Sequence, residues 1–336
     1  MFRALLIFTL LAGLATTAEP APREVTFPGA EGTLAGTLVV PERRPNPPAL
    51  ILVSGSGPQD RDETVRGLKP FRRIANHLER HGIATLRYDD RGVGGSEGNP
   101  DATLAEEAAD LTKAIAFLCS TGEVNPTRIG VLGHSMGGVI LSLAAAEVQP
   151  AFAIMLASPA TPGAELLRAQ TRRKLELNRV PEARIARNDE LIRDIAAATL
   201  EGDEALKATV AGLAEQVGGD ENWSAEQVAF FGSRMLRSFL SHDMSAYDNL
   251  RMPVLALFAE DDWKVDAEAD GTALAAHSIP KLTTETLPRH NHLFQQTPEG
   301  RPLSSVGPAP SDQTLGWITG WIAGAGPGAN PCEAGQ

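Results

Sequence analysis

Six residues, Gly133-His134-Ser135-Met136-Gly137-Gly138, separate two apolar runs of different kinds. Ile129 to Leu132 before them is short and continuous, as in a strand covered on both faces. Val139 to Ala146 after them is apolar and Ala-rich, as in a buried helix. Strand, sharp turn and helix in that order put Ser135 at the apex of the turn, where a serine nucleophile would stand clear of a sheet. A G-x-S-x-G match alone arises by chance about 0.1 to 0.2 times in a chain of this length. The strand and helix patterns around it do the discriminating.

The same alternation runs through most of the chain. Glu24 to Phe27 and Thr33 to Val40 read as a hairpin at a sheet edge, joined by Gly29-Ala30-Glu31-Gly32. A Pro-rich connector, Pro41 to Pro48, leads to the strand Ala49 to Val53. A helix with Phe71, Ile74 and Leu78 on one face stops at Gly82 and is followed by the strand Ile83 to Tyr88. Leu104, Ala108, Leu111, Ile115 and Leu118 mark a second amphipathic helix. Strands Phe152 to Leu156, Val254 to Phe258 and Thr283 to Leu287 continue the pattern, and a last helix covers Asp312 to Ile322. Such units imply an α/β fold, a mostly parallel sheet flanked by helices.

Between Pro162 and Leu250 the texture changes to charge-rich, helix-forming sequence without a clear buried strand. It reads as a helical cap or lid insertion over 162–250, with the core formed by 19–161 and 251–325. Val228, Phe231, Met235 and Phe239, widened by Phe230, Leu236 and Leu240, make an apolar stripe in it. Packing is the first reading of that stripe, and contact with a bound acyl group the second.

The N-terminus carries Arg3, an apolar stretch from Ala4 to Ala15, and the small residues Thr16, Thr17 and Ala18 before Glu19-Pro20. This is the pattern of a signal peptide over 1–18, shorter than the roughly 20 apolar residues of a membrane span. The mature chain is expected in the periplasm or secreted, with no stable membrane insertion. Cys119 and Cys332 are the only cysteines. Outside the cytoplasm they can pair, tying a Gly/Pro-rich tail, 326–336, that otherwise reads as flexible. Lys and Arg total 30 against 42 Asp and Glu, a formal net charge of -12, and no basic run offsets it. Nucleic acid and anionic membrane surfaces are therefore excluded as partners.

A serine hydroxyl needs a base, an orienting acid and donors for a developing oxyanion. In open α/β sheets these come from loops leaving the carboxyl ends of strands. The strand Val254 to Phe258 is followed by Ala259-Glu260-Asp261-Asp262-Trp263-Lys264-Val265, and Thr283 to Leu287 by Pro288-Arg289-His290-Asn291-His292-Leu293-Phe294-Gln295. One of the acids and one of the histidines should face Ser135. The order serine, acid, histidine is that of α/β-hydrolases.

Three further stretches make the resemblance specific: Ser54-Gly55-Ser56-Gly57-Pro58-Gln59-Asp60-Arg61-Asp62, Arg87-Tyr88-Asp89-Asp90-Arg91-Gly92 and Asn291-His292-Leu293-Phe294-Gln295. The chain resembles α/β-hydrolases of a bacterial esterase subgroup related to the S9 and S33 serine peptidases, over residues 24–325. The resemblance implies Asp262 as the acid and His292 as the base, with Asp261 and His290 as fallbacks. It implies an oxyanion hole made by the backbone N–H of Met136 and a donor from the loop after Ala49 to Val53. Many relatives have His-Gly-x in that loop, and Ser54-Gly55-Ser56 replaces it here, so Ser56 takes the donor position with Gly57 as runner-up. The expected activity is hydrolysis of small-molecule carboxylic esters with short to medium acyl chains, through an acyl-enzyme on Ser135. Nucleophile, base, acid and cap account for that chemistry without a cofactor or metal. A serine peptidase and a non-catalytic exported binding module on the same fold are the alternatives.

Other polar features take plainer readings. His77 and His81 sit four apart around Glu79, a near miss to the zinc motif H-E-x-x-H with the acid misplaced. His290 and His292 suit a serine-linked base better than a metal pair. Asp89, Asp90 and Arg91 read as a turn network at a strand end, and His134 as a neighbour of the nucleophile with no necessary role.

Overall fold

A computed structural model describes residues 22–42, 44–217, 225–301 and 303–333. The expected signal peptide, the side chain of Val228 and the last three residues lie outside the described set. Eight strands form one sheet: β1 (Arg23–Pro28), β2 (Thr33–Val39), β3 (Ala49–Val53), β4 (Ala84–Tyr88), β5 (Ile129–His134), β6 (Phe152–Leu156), β7 (Val254–Ala259) and β8 (Leu282–Leu287). Their order is β1-β2-β4-β3-β5-β6-β7-β8. β1, β2 and β4 pair antiparallel, and every pairing from β4 across to β8 is parallel. The expected α/β sheet is present, and its edge hairpin is β1-β2.

Strands β3 to β7 are buried at every residue, which is why β3, β6 and β7 read as unbroken apolar runs, while β4 buries Thr85 and Arg87 among its apolar residues. Alternate side chains enter different cores. Ile51, Val53, Val131 and Met155 pack with helices α2 (Leu104–Thr121) and α3 (Met136–Ala144) on one face. Leu50, Leu52, Leu132 and Ile154 pack with α1 (Pro70–Arg80) and α10 (Asp312–Gly324) on the other. β8, at the sheet edge, buries only Leu287 fully.

The side on which the next strand is added reverses in the middle of the sheet. From β3 the chain crosses to β4 on one side, and from β5 it crosses to β6 on the other. The carboxyl ends of β3 and β5 therefore diverge around a crevice, the position where open α/β sheets bind ligands.

Among the described residues five α-helices stand between β6 and β7: α4 (Gly163–Leu177), α5 (Glu182–Glu201), α6 (Asp203–Val217), α7 (Ala225–Gly232) and α8 (Arg234–Leu240). The stripe residues Phe231, Met235, Leu236, Phe239 and Leu240 are buried in the same cluster as α2 and α3, so their role is packing. Phe230 faces outward. Polar contacts fix the same junction: Ser238 Oγ accepts from Leu104 N at 3.1 Å, and Arg234 reaches Glu106 at 2.6 Å. Asp270, on the helix α9 (Ala267–Ala275), accepts the N–H groups of Ala160 and Thr161 where the chain leaves the core for these helices.

The tail departs from the sequence expectation. As far as Glu333 it is held against the core: Gly328 N donates to Thr127 O at 2.9 Å, and Cys332 is bonded to Cys119 at the end of α2 with Cα atoms 5.4 Å apart. Gly328 lies so close to the backbone of Ala151 that an added Cβ would fall 2.4 Å from its oxygen. Glycine and proline content suggested freedom, whereas covalent and backbone contacts remove it. Among the described residues no helix is long and apolar enough to cross a membrane.

The disulfide joins residues 213 apart, so it restricts a very long loop in the unfolded chain. Replacing both cysteines by serine is expected to lower stability by about 2–4 kcal/mol. Urea unfolding should show a lower midpoint for the variant, and coincident curves would contradict the assignment.

Candidate active site

Ser135 sits between β5 and α3 at φ 53 and ψ -122, a conformation that non-glycine residues seldom adopt. Its surroundings impose it. A Cβ on Gly133 would lie 2.3 Å from the carbonyl carbon of Gly137, and one on Gly137 would lie 2.4 Å from Val53 O. The first turn of α3 is thus pressed against both β5 and the end of β3, and only glycine permits that approach. Ser135 N donates to Leu156 O at 2.8 Å, fixing the apex to β6.

His292, from the loop after β8, reaches Ser135 from the other side. Its Nε2 lies 3.1 Å from Ser135 Oγ, and its Nδ1 donates to Asp262 Oδ2 at 2.6 Å. Asp262, after β7, is itself oriented by the N–H groups of Lys264 and Val265 on Oδ1, at 2.7 and 3.2 Å. With the proton on Nδ1, Nε2 keeps a lone pair for the serine hydroxyl. Burial pushes His292 below its ordinary pKa, outweighing the opposing pull of Asp262, and His134 and Lys264 add to the depression. The ring is therefore neutral near pH 7.

The structure brings Ser135, Asp262 and His292 together and leaves the fallbacks apart. Asp261 accepts from Thr297, and His290 bonds to Pro288 O and Ser311 Oγ, both at 2.8 Å. The loop after β3 passes so close that a Cβ on Gly55 would lie 3.2 Å from Ser135 Cβ. Gly55 N is committed to Glu63 Oε1 at 2.8 Å. Among the described residues, the N–H groups of Ser56 and Met136 have no acceptor. Gly57 turns the loop away at φ 85.

Glu63 is the residue that sequence reasoning missed. Four consecutive charged side chains, Asp60 to Glu63, follow β3; the first caps its own loop and the other three are tied to different parts of the core. Asp60 accepts from the N–H groups of Asp62 and Thr64. Arg61 pairs with Asp89 at 2.7 Å, Asp62 with buried Arg87, and Glu63 with His134 Nδ1 at 2.7 Å. His134 Nε2 in turn lies 2.9 Å from His292 O. Both of its nitrogens face acceptors, an arrangement that the doubly protonated ring satisfies. Burial opposes that charge, but the Glu63 carboxylate prevails and raises the pKa. His134, read from sequence as a bystander, thus links the strand that leads to Ser135 to the loop that carries His292. The run of charges leaving β3 was a visible signal, but its partners lie up to 71 residues away.

The Asp89-Asp90-Arg91 turn is the network that its composition suggested. Asp89 accepts Gly95 N, Asp90 accepts Ser54 Oγ and Gln59 N, and Arg91 bonds Asp110 at 2.7 Å. Burial pushes Asp90 up to about 7 against the opposing hydrogen bonds from Ser54 and Gln59. His77 bonds Thr319, and among the described residues no group of three or more His, Cys, Asp or Glu could hold a metal ion.

Ser135 and His292 open onto a cleft of about 490 Å³. Val65, Leu68, Trp263, Leu293 and Leu303 supply its apolar walls, and Arg66 and Lys264 its cations. The buried stripe on α7 and α8 does not line it. Helix α4 nonetheless reaches the acid loop, because Arg173 donates to Asp262 O at 3.2 Å and pairs with Asp266.

A sequence model of the alpha/beta hydrolase family matches residues 50–301, three quarters of the chain and every loop just described. The chain belongs to the alpha/beta hydrolase family. This hydrolase is 34% identical over 138 residues to esterase EstD of Thermotoga maritima, an alignment covering 41% of the chain and 33% of that esterase. It is 35% identical over 147 residues to the polyketide transferase grgF of a Penicillium species, covering 42% of the chain and 47% of that protein. The matches span a third to a half of these relatives' length. The crystal structure of GrgF superposes with a TM-score of 0.54 at 23% identity, covering 81% of this chain and 91% of that one. The proline iminopeptidase of Mycobacterium smegmatis gives 0.51 at 16% identity, covering 90% and 98%. At such identities the structural likeness is one of fold.

NMR titration of His292 is expected to give a midpoint below the ordinary histidine value of 6.5. His134→Asn should raise that midpoint, because it removes a nearby positive charge and leaves Glu63 unneutralised. A wild-type midpoint above 6.5, or a fall in the variant, would contradict the geometry.

Proposed function

We propose that this hydrolase cleaves carboxylic esters of short to medium acyl chain through an acyl-enzyme on Ser135. The observation that carries the reading is the unbroken hydrogen-bond chain from Asp262 through His292 to Ser135, at 2.6 and 3.1 Å, on a strained turn. Ser135 Oγ attacks the ester carbonyl carbon while His292 Nε2 takes the hydroxyl proton. Asp262 keeps the imidazole in the productive tautomer and stabilises the imidazolium that forms. The carbonyl oxygen, now negative, accepts from the N–H groups of Met136 and Ser56. Collapse expels the alkoxide, which takes the proton from His292, and water then repeats the sequence on the acyl-enzyme.

Two further points support an ester substrate of modest size. The similarity to an esterase is one, and the cleft of about 490 Å³ is the other. We also read residues 162–250 as a cap whose α4 adjusts the acid loop through Arg173, and the chain as exported. The N-terminal charge and hydropathy pattern and the Cys119–Cys332 bond both favour export. Fractionation of cells should find the mature chain outside the cytoplasm.

A fluorophosphonate probe is expected to label the wild type and not Ser135→Ala. Turnover of p-nitrophenyl butyrate by that variant should fall by about 10⁴-fold or more. Equal labelling of both proteins would place the nucleophile elsewhere, and a clear wild-type preference for aminoacyl anilides over esters would overturn the ester assignment.

A further inference from the structure

Two cations, Lys264 and Arg66, line the cleft, a third, Lys174, stands beside its Trp263 wall, and among the described residues none of the three has a carboxylate within ion-pair distance. Lys264 and Lys174 stand over the same ring of Trp263, with their Nζ atoms 5.7 and 5.2 Å from its centre. Arg66 lines the cleft from the tip of a tight turn, closed by a bridge between Val65 and Leu68 and held at φ 50. Lys264 is the most enclosed of the three. Burial lowers its pKa, and Lys174 and Arg66 act on it in the same direction.

The two acids that pull on Lys264 from nearby, Asp262 and Glu63, are already engaged. Asp262 is taken by His292 and by two backbone N–H groups, and Glu63 by His134 and Gly55 N. With Glu63 paired to His134, and the Asp262 carboxylate set against one of the two cations, Lys264 and Arg66 still leave the cleft a surplus of positive charge. This surplus stands in a chain whose formal net charge is -12, so it does not follow from composition. A partly desolvated ammonium without a counterion is unfavourable, and an anionic ligand group removes that cost.

We propose that the cleft selects esters bearing a carboxylate at the end remote from the scissile bond, held by Lys264 and Arg66 against the Trp263 wall. The proposal rests on the ester-hydrolase reading of Ser135 and specifies its substrate class. Hydrolysis of a dicarboxylic half-ester consumes one water and yields the dicarboxylate, an alcohol and a proton. An ester of a hydroxy acid yields a carboxylate, the hydroxy acid anion and a proton.

Two matched pairs of substrates test this, each differing only in a terminal carboxylate against a methyl group. Monoethyl adipate against ethyl hexanoate places the charge on the acyl side, and 4-acetoxybutanoate against butyl acetate places it on the alcohol side. Turnover is followed by pH-stat in wild type, Lys264→Met and Arg66→Gln, and the readout is the ratio of kcat/KM within each pair, which cancels general damage to a variant. In at least one pair the wild-type ratio should favour the anionic ester by about tenfold or more, the scale of one charge-assisted contact. It should fall towards one in both variants. Wild-type ratios at or below one in both pairs, with the neutral esters turned over, overturn the carboxylate preference and leave the esterase reading standing. A ratio unchanged in both variants overturns the assignment to Lys264 and Arg66. No turnover of any ester, with no fluorophosphonate labelling, overturns both readings.

Discussion

The close approach of the first turn of α3 to the end of β3 is the constraint on which the site depends. Gly133 and Gly137 bring backbone against backbone there, and a single added Cβ at either would collide at 2.4 Å or less. This compression sets Ser135 at positive φ and leaves Met136 N beside the loop that carries Ser56. It also places the serine at the point where the order of strand addition reverses, so that loops from β3, β7 and β8 can converge on it. The strain is local and is held by structure on every side: Leu156 O behind the apex, Val53 O and Ser54 O below, and Gly55 in front.

Around that turn the protein builds its electrostatics in matched pairs. Glu63 with His134, Asp62 with Arg87, Arg61 with Asp89 and Arg91 with Asp110 are all enclosed to differing degrees, and each joins segments distant in sequence. Breaking one partner of such a buried pair leaves an uncompensated charge, which is far more unfavourable than the intact pair is favourable. The pairing thereby fixes where the β3 loop lies. Gly55 N is held by Glu63 and Ser54 Oγ by Asp90, and the loop carries Ser56 to the cleft that Ser135 lines. His134 couples the same arrangement to the His292 loop, through its ion pair on one side and the carbonyl of His292 on the other.

Much of this was legible in the sequence because it is written in local pattern. Ala49 to Val53 and Phe152 to Leu156 coincide with strands of the same bounds, since a doubly covered strand must be apolar throughout. The helix start at Leu104 follows a Thr103–Glu106 capping box, a signal that depends on residues only three apart. The choice of Asp262 and His292 over Asp261 and His290 came from resemblance, and the geometry explains it by direction: Asp261 and His290 turn towards Thr297 and Ser311. What escaped was long-range pairing. Nothing near Glu63 in sequence announces His134, and the cysteine pair 213 residues apart was open from sequence as a possible tie that only the structure closes.

That tie determines how the molecule bears load. The sheet edge at β8 is largely exposed, and α10 covers one face next to the tail. Without a cross-link, tension on the C-terminus would peel α10 and then β8 from the edge, one contact after another. Through Cys332 and Cys119 the tension enters the last turn of α2 instead, and α2 lies on the opposite face of the sheet among the most enclosed side chains of the core. Pulling at the end of the chain therefore loads α2 and the core it packs in, and spares the exposed edge at β8 and the helix α10.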